Sequence, residues 1–285
     1  MLKKVEEESV PRFVLTTLKN PRLRRVGWKA TMTMLREFFL LQFQVVLFKK
    51  KIPISSVDHP LDIHIPFNPK WVRVYLGFVA FWIRAASFLY GQFGRRATDQ
   101  VAFFIQSIGE LYRFAASVYR LNLSTTKRPR FLKHPRFLLI HFFDPHLLCV
   151  PSLHVMIVIR TYTHLRSIIQ ERGKSEELKT AIEEVYRRAI EITEAVLYVK
   201  QHSVNCIPAA LYAMTSFDPL LFPKEEAERF VSQLFLHESS PSPEHAAIIR
   251  NYILTAYENY LMKSKMVLDW RIPILEFIST CPIVS

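Results

Sequence analysis

The sequence predicts an all-α fold, a helical bundle of five or six apolar segments with an amphipathic helical appendage at its C-terminus. Half of the 285 residues are apolar and 13% are aromatic, while only six are glycine, a balance that favours long helices over a turn-rich β architecture. The apolar residues gather into long runs separated by charged or proline-bearing breaks. From Pro223 onward, charged and apolar residues alternate at helical spacing instead.

Residues 1–30 form a charged, basic N-terminal segment carrying two prolines. The bundle proper is expected over 31–222 and the appendage over 223–285. The first run, "TMTMLREFFLLQFQVVLF" (31–48), stops at three consecutive lysines. The linker 52–69 has four prolines and no helical period, so it reads as extended or irregular. The next run, 71–93, is long enough to cross a hydrocarbon core, for which about 20 residues are needed, but it contains Arg73 and Arg84. An arginine near mid-membrane costs roughly 2.5–3.5 kcal/mol, which the surrounding apolar side chains offset. In 101–123, Glu110 and Arg113 share a helical face and are expected to pair. The run 137–159 is broken by Pro145 and Pro151, which puts the start of its main helix near Pro151. Residues 170–189 are dense in opposite charges and read as solvated helix. The last long apolar region, 190–222, is interrupted by Lys200, Gln201 and His202. "HESSPSPEH" (237–245) is a loop, with Ser240 or Ser242 capping the helix after it.

A net charge of +13 points to an anionic partner, either lipid headgroups or a phosphorylated substrate. Basic residues cluster at the ends of apolar runs, as where a chain leaves a bilayer on its cytoplasmic side. No basic block with interleaved aromatics marks a nucleic-acid module, so no nucleic acid is expected as a partner. Three widely spaced cysteines, Cys149, Cys206 and Cys281, indicate neither a disulfide framework nor a zinc site. The opening "MLKKVEEESVPRF" lacks the apolar core of a secretory signal. A multi-pass membrane protein is therefore expected. Against it, a mean hydropathy of only +0.10 leaves open a cytoplasmic or peripheral helical protein.

Three polar islands interrupt the apolar segments: "STTKRPRF" (124–131), "PSLHV" (151–155) and "KQHSVNC" (200–206). Polar groups inside apolar helices are costly, so three of them in one chain suggest a shared site. In order and wording the islands resemble the type 2 phosphatidic acid phosphatase (PAP2) superfamily, in the branch with Pro-Ser-Leu-His and Lys-Gln-His motifs that includes inositol phosphotransferase-like and sphingomyelin-synthase-like proteins. "LDIHIPFNP" ahead of a spanning helix and "DPHLLCVPSLHV" support the likeness, which covers roughly residues 55–215.

Phosphate-ester cleavage needs cations for the phosphoryl oxygens, a nucleophile, and an acid for the leaving alkoxide. Arg128 suits the first need, because a guanidinium fork matches phosphate oxygens. The resemblance implies a membrane-embedded PAP2-like bundle, with His202 as a nucleophile forming a phosphohistidine and His154 as the acid. Ser152 is implied to donate to phosphate, and Lys127 and Lys200 to add positive charge. Neither a metal nor another cofactor is required, and the implied substrate is a lipid phosphate or another phosphate ester. Three positions depart from the pattern. Cys206, beside Asn205, stands where the family has the aspartate that orients the nucleophile; Val196 replaces an arginine and Leu121 a lysine. Arg120, Lys127 and Lys200 are candidate replacements for the lost charge. A degenerate, non-catalytic protein that binds anionic lipid or a partner protein is the alternative reading.

Overall fold

The computed structural model describes residues 4–48, 52–172, 175–236 and 241–284. Lys49–Lys51 and residues 237–240, including the alternative cap Ser240, lie outside them. Among the described residues the chain is mostly helical. In order it runs α1 (Val10–Lys19), α2 (Pro21–Met34), a π-helical stretch (Leu35–Leu40) and α3 (Leu41–Phe48). Then come strand β1 (Ile54–Ser56), α4 (Val72–Leu76), α5 (Phe78–Phe93), α6 (Thr98–Tyr119), strand β2 (Leu123–Thr125) and α7 (Pro135–Phe143). The rest is α8 (Leu153–Arg172), α9 (Glu176–Tyr198), α10 (Cys206–Phe217), α11 (Lys224–Ser232), α12 (Pro243–Ser264) and α13 (Arg271–Ser279).

Five α-helix starts among the described residues carry a legible side-chain cap. Ser9, Asn20, Ser175 and Ser242 accept backbone N–H groups of the first turns of α1, α2, α9 and α12, and His134 does so for α7 through its ring. Proline opens α2, α7 and α12, where its missing N–H would have no helical partner. The charge-dense region read as one helix divides: residues 170–172 end α8, and Ser175 starts α9 afresh. The exposed side of α9 carries the expected short-range pairs, Arg187 and Arg188 with Glu191.

Apolar character that sequence periodicity could assign to lipid is spent largely inside the bundle. Helix α8 is buried from Leu153 through Leu165 and packs among α5, α6, α9 and α10. A helix buried on all sides takes its place at the centre of a bundle, and α8 does so here. Its one core arginine, Arg160, is 2% exposed, donating to Asp218 at 2.6 Å and to Ser107 at 3.0 Å, so the charge is partnered. Glu37 on the π-helical stretch is likewise buried against Arg36 and Arg120. One stretch, Pro69–Tyr119, contains a window long and apolar enough to cross a membrane; 44% of that window is buried within the protein. The expected Glu110–Arg113 pair is not formed. Gln106 donates to Glu110, and Arg113 reaches Thr33 on α2.

Helix α2 crosses the boundary expected at residue 30 and packs closely along α6. At the crossing, a Cβ on Gly109 would lie 3.2 Å from Ala30 Cα, so the two backbones meet because Gly109 has no side chain. Gly109→Val is expected to force α2 off α6 and cost about 2 kcal/mol, read from the denaturant midpoint of unfolding.

The C-terminal helices are tied to the bundle. Ile249, Ile253 and Tyr257 of α12 are buried, with α10 the main helix against them. Strands β1 and β2 pair in parallel, Ile54 with Leu123 and Thr125 with Ser56. Ser55 also bridges to Ile283 near the C-terminus, and Ser124 to Leu148. This small ribbon is what brings the three polar islands together.

Candidate functional site

Each island lies at the end of a helix or strand. The first leaves β2, the second leads into α8, and the third is the turn between α9 and α10. Ser124 on β2 stitches the first to the approach of the second. Its backbone N–H donates to Leu147 O, its carbonyl accepts from Cys149 N, and its hydroxyl accepts from Val150 N at 2.7 Å. Ser152 N in turn reaches Cys206 O, joining the second island to the third. Backbone amides and carbonyls that a loop would otherwise bury unpaired are thereby satisfied.

The third island begins at Lys200, whose φ of +55° lies in the left-handed region. A non-glycine residue there costs roughly 1–2 kcal/mol. The reversal lets both Gln201 N and His202 N donate to Val196 O, which closes α9 and turns the two side chains inward. Thus Val196, which has no side-chain charge to offer, contributes its carbonyl. Asp62, from the proline-rich linker, fixes the other half of the turn. Its carboxylate accepts from Ser203 Oγ at 2.7 Å, from Val204 N at 2.8 Å and from His59 N at 2.8 Å, and Lys200 Nζ donates to its carbonyl. Asp62→Ala is expected to lower stability by about 2 kcal/mol, with Asp62→Asn intermediate, because three donors lose their acceptor; denaturant unfolding reads both.

His202 and His154 meet in the middle. His202 Nε2 is 3.3 Å from Ser152 Oγ and 3.4 Å from His154 Nδ1, and all three residues are buried. His154 is wedged between the rings of Tyr75 and Phe78. Arg128 lies at the edge of the same group, with one guanidinium nitrogen donating to Gln201 Oε1 at 3.1 Å and another to Asp144 O at 3.0 Å. Two of its five N–H donors are so used, leaving the rest for an anion. Lys127, Arg128, Lys200 and His202 line one open cavity of about 700 Å³, together with Asp58 and Asp62. His154 lines a second, apolar cavity of about 270 Å³. The histidine pair therefore stands between a polar chamber and an apolar one.

Burial holds the His202 imidazole down at about 4, opposed only by a favourable contact with the Cys149 backbone, and burial beside His202 drives His154 well below its ordinary value. Both rings are neutral at pH 7 in the free protein. His202 Nδ1 is buried and has no hydrogen-bond partner among the described residues. Among the described residues no carboxylate is seen bonded to His202. Cys206 is fully buried at the first turn of α10, with burial pushing its thiol well up, and Asn205 is committed to Val57 O and to the Tyr252 hydroxyl. Arg120 is no substitute for the lost lysine, since Glu37 holds it.

No family model, curated protein or solved structure matches the chain.

Among the described residues no group of three or more His, Cys, Asp or Glu side chains is placed to hold a metal ion. What the arrangement offers instead is a neutral imidazole nitrogen facing a second imidazole and a hydroxyl, with a guanidinium and two lysines nearby. Several of its parts lie outside the three islands. Asp62 sits in a short 3-10 turn opened by Pro60, Asp144 at the end of α7 before Pro145, and His146 pairs with Thr126 Oγ1 at 2.9 Å. Loop polar residues beside prolines were the available signal for all three.

Proposed function

We propose that the chain cleaves or transfers a phosphate ester of a lipid at the His202–His154 pair, in the manner of PAP2-type phosphatases and phosphotransferases, through a phosphohistidine. The observation that carries this reading is the 3.4 Å approach of His202 Nε2 to His154 Nδ1 beside Ser152 Oγ, at the wall of a cavity lined by Arg128, Lys127 and Lys200. For attack, His202 keeps its proton on Nδ1 and presents the Nε2 lone pair to phosphorus. The P–N bond forms as the P–O bond to the alcohol breaks, and His154 Nδ1–H protonates the departing alkoxide. The free His154 is neutral, so its acidic proton must come with the substrate. A bound phosphate anion favours the imidazolium, and a phosphate monoanion carries the proton in. Arg128, Ser152 and the lysines balance charge on the phosphoryl oxygens. Water, or an acceptor alcohol, then attacks phosphorus as the P–N bond breaks and His154 takes the attacking proton; that proton leaves with the phosphate product, restoring both histidines to their neutral forms.

The test is release of inorganic phosphate, in the presence of a chelator, from phosphatidic acid in mixed micelles and from a soluble phosphomonoester. Release of phosphate supports the reading; no release from either substrate, with no phosphorylated protein trapped, overturns it. A second reading, a non-catalytic relative that holds an anionic headgroup, is favoured by the unpartnered Nδ1 of His202 and the missing aspartate. Headgroup binding without turnover in wild type, with turnover appearing only in Cys206→Asp, would select it.

A further inference from the structure

We propose that the face built from the second half of α2, the π-helical stretch, α3 and α7 docks onto an anionic lipid leaflet, and that the cleft opening there receives the apolar chain of the substrate. The leaflet contact stands by itself; the cleft's role rests on the function proposed above. Large apolar side chains stand in water along these elements. Trp28 is 67% exposed, Leu47 66% and Phe142 75%, with Leu35, Leu40 and Leu138 also exposed. Single exposed leucines need no explanation, but a set this dense on adjoining elements is an interaction surface.

Charge selects the occupant. Residues 21–48 hold five Lys or Arg and residues 127–143 hold five more. The two stretches contain one acidic residue, Glu37, and it is buried. An apolar face flanked by cations, Arg22, Arg24 and Arg25 on the first turns of α2 among them, with one exposed carboxylate beside it, Asp99 paired with Arg22, fits phospholipid headgroups over acyl chains, each basic residue near such a surface adding attraction. A protein partner of ordinary composition supplies no such uniform negative field.

The interior joins the face to the site. The apolar cavity of about 270 Å³ is walled by Phe38 and Phe39 of the π-helical stretch and by Leu139 and Phe143 of α7, and His154 lies on its lining. Leu139 and Phe143 are themselves half exposed. A chain leaving the leaflet between α7 and the π-helical stretch would therefore bring its phosphate to the histidines, with the headgroup side directed to the basic chamber beyond.

Cosedimentation of the full chain with vesicles tests this. Wild type is expected to pellet with phosphatidylcholine–phosphatidylserine vesicles, weakly with pure phosphatidylcholine, and to be released by alkaline carbonate. Leu138→Asp/Phe142→Asp lie four residues apart on one face of α7 and replace exposed side chains, so folding should persist, as the thermal midpoint would verify. That pair should cut partitioning about tenfold or more. Arg130→Glu/Lys133→Glu should erase the preference for anionic vesicles. His202→Ala should pellet like wild type while losing phosphate release, which separates failure of the docking face from failure of the catalytic reading. Wild type staying in the supernatant, undiminished pelleting of the folded α7 variant, resistance to carbonate, or a wild-type dimer that the α7 variant dissolves would each overturn the proposal.

Discussion

Replacing His202 with alanine is expected to lower phosphate release by roughly three orders of magnitude or more, at unchanged stability within about 1 kcal/mol. The asymmetry follows from what the side chain does. In the proposed reaction its Nε2 is the attacking nitrogen, whereas its Nδ1 already lacks a partner, so truncation would remove the proposed nucleophile while forfeiting little hydrogen bonding. Ser152 and His154 would retain water as a partner in the space left. His154→Ala should behave differently. Phosphoenzyme formation should survive with a good leaving group, which needs no proton, and fail with an alkyl ester. Rapid quench with a labelled aryl phosphate and a labelled alkyl phosphate reads both variants. Equal release by wild type and His202→Ala would remove His202 from the reaction altogether.

The missing carboxylate bears on the size of that rate. An aspartate behind the nucleophilic imidazole holds its tautomer and steadies the cation that forms. Here no acceptor holds a proton on Nδ1, and the ring's position is fixed from the main-chain side, by the turn that Val196 O and Asp62 close. Orientation is thus preserved by geometry, while electrostatic support is not. Any turnover should accordingly be slow.

The mostly helical class and several helix starts follow from local chemistry, glycine scarcity and caps such as Ser9, Asn20 and Ser242, which act within four residues and so leave a mark in the sequence. Where the apolar runs end up does not follow. The apolar run that opens with Leu153 lies in the centre of the bundle, and burial by protein and burial by lipid ask for the same side chains, so its place is not legible in the sequence. The islands could be read as a common site from their cost alone, but not the means of their meeting. A three-residue parallel pairing between Ile54 and Leu123 has no period, and its partners are far apart in the chain. Asp62 illustrates the same limit. Its role depends on Ser203 and Val204, more than a hundred residues away, and nothing local distinguishes it from any acidic residue after a proline.

Acid should unfold this protein well before its carboxylates are all protonated. His202 and His164 are both held down at about 4 by burial, and His146 and His154 are also driven well below the ordinary histidine value. In the unfolded chain an imidazole takes up a proton near pH 6.5, whereas His202 and His164 stay neutral in the folded protein until about pH 4. Between those values the unfolded state binds more protons. Stability is therefore full above about pH 6.5 and falls as pH drops toward 4, by roughly 2.5 kcal/mol for each such histidine at pH 4.5. His164 isolates one contribution away from the reacting pair. It stacks on Phe104 and reaches Gln100 O at 3.2 Å, a bond that a glutamine amide can keep. His164→Gln should match wild type near pH 7.5 within about 1 kcal/mol and exceed it by about 1.5–2.5 kcal/mol at pH 4.5, measured by denaturant unfolding at both values. Parallel pH slopes for the two proteins would mean that His164 titrates normally in the fold, and that packing against Phe104 leaves it reachable by protons.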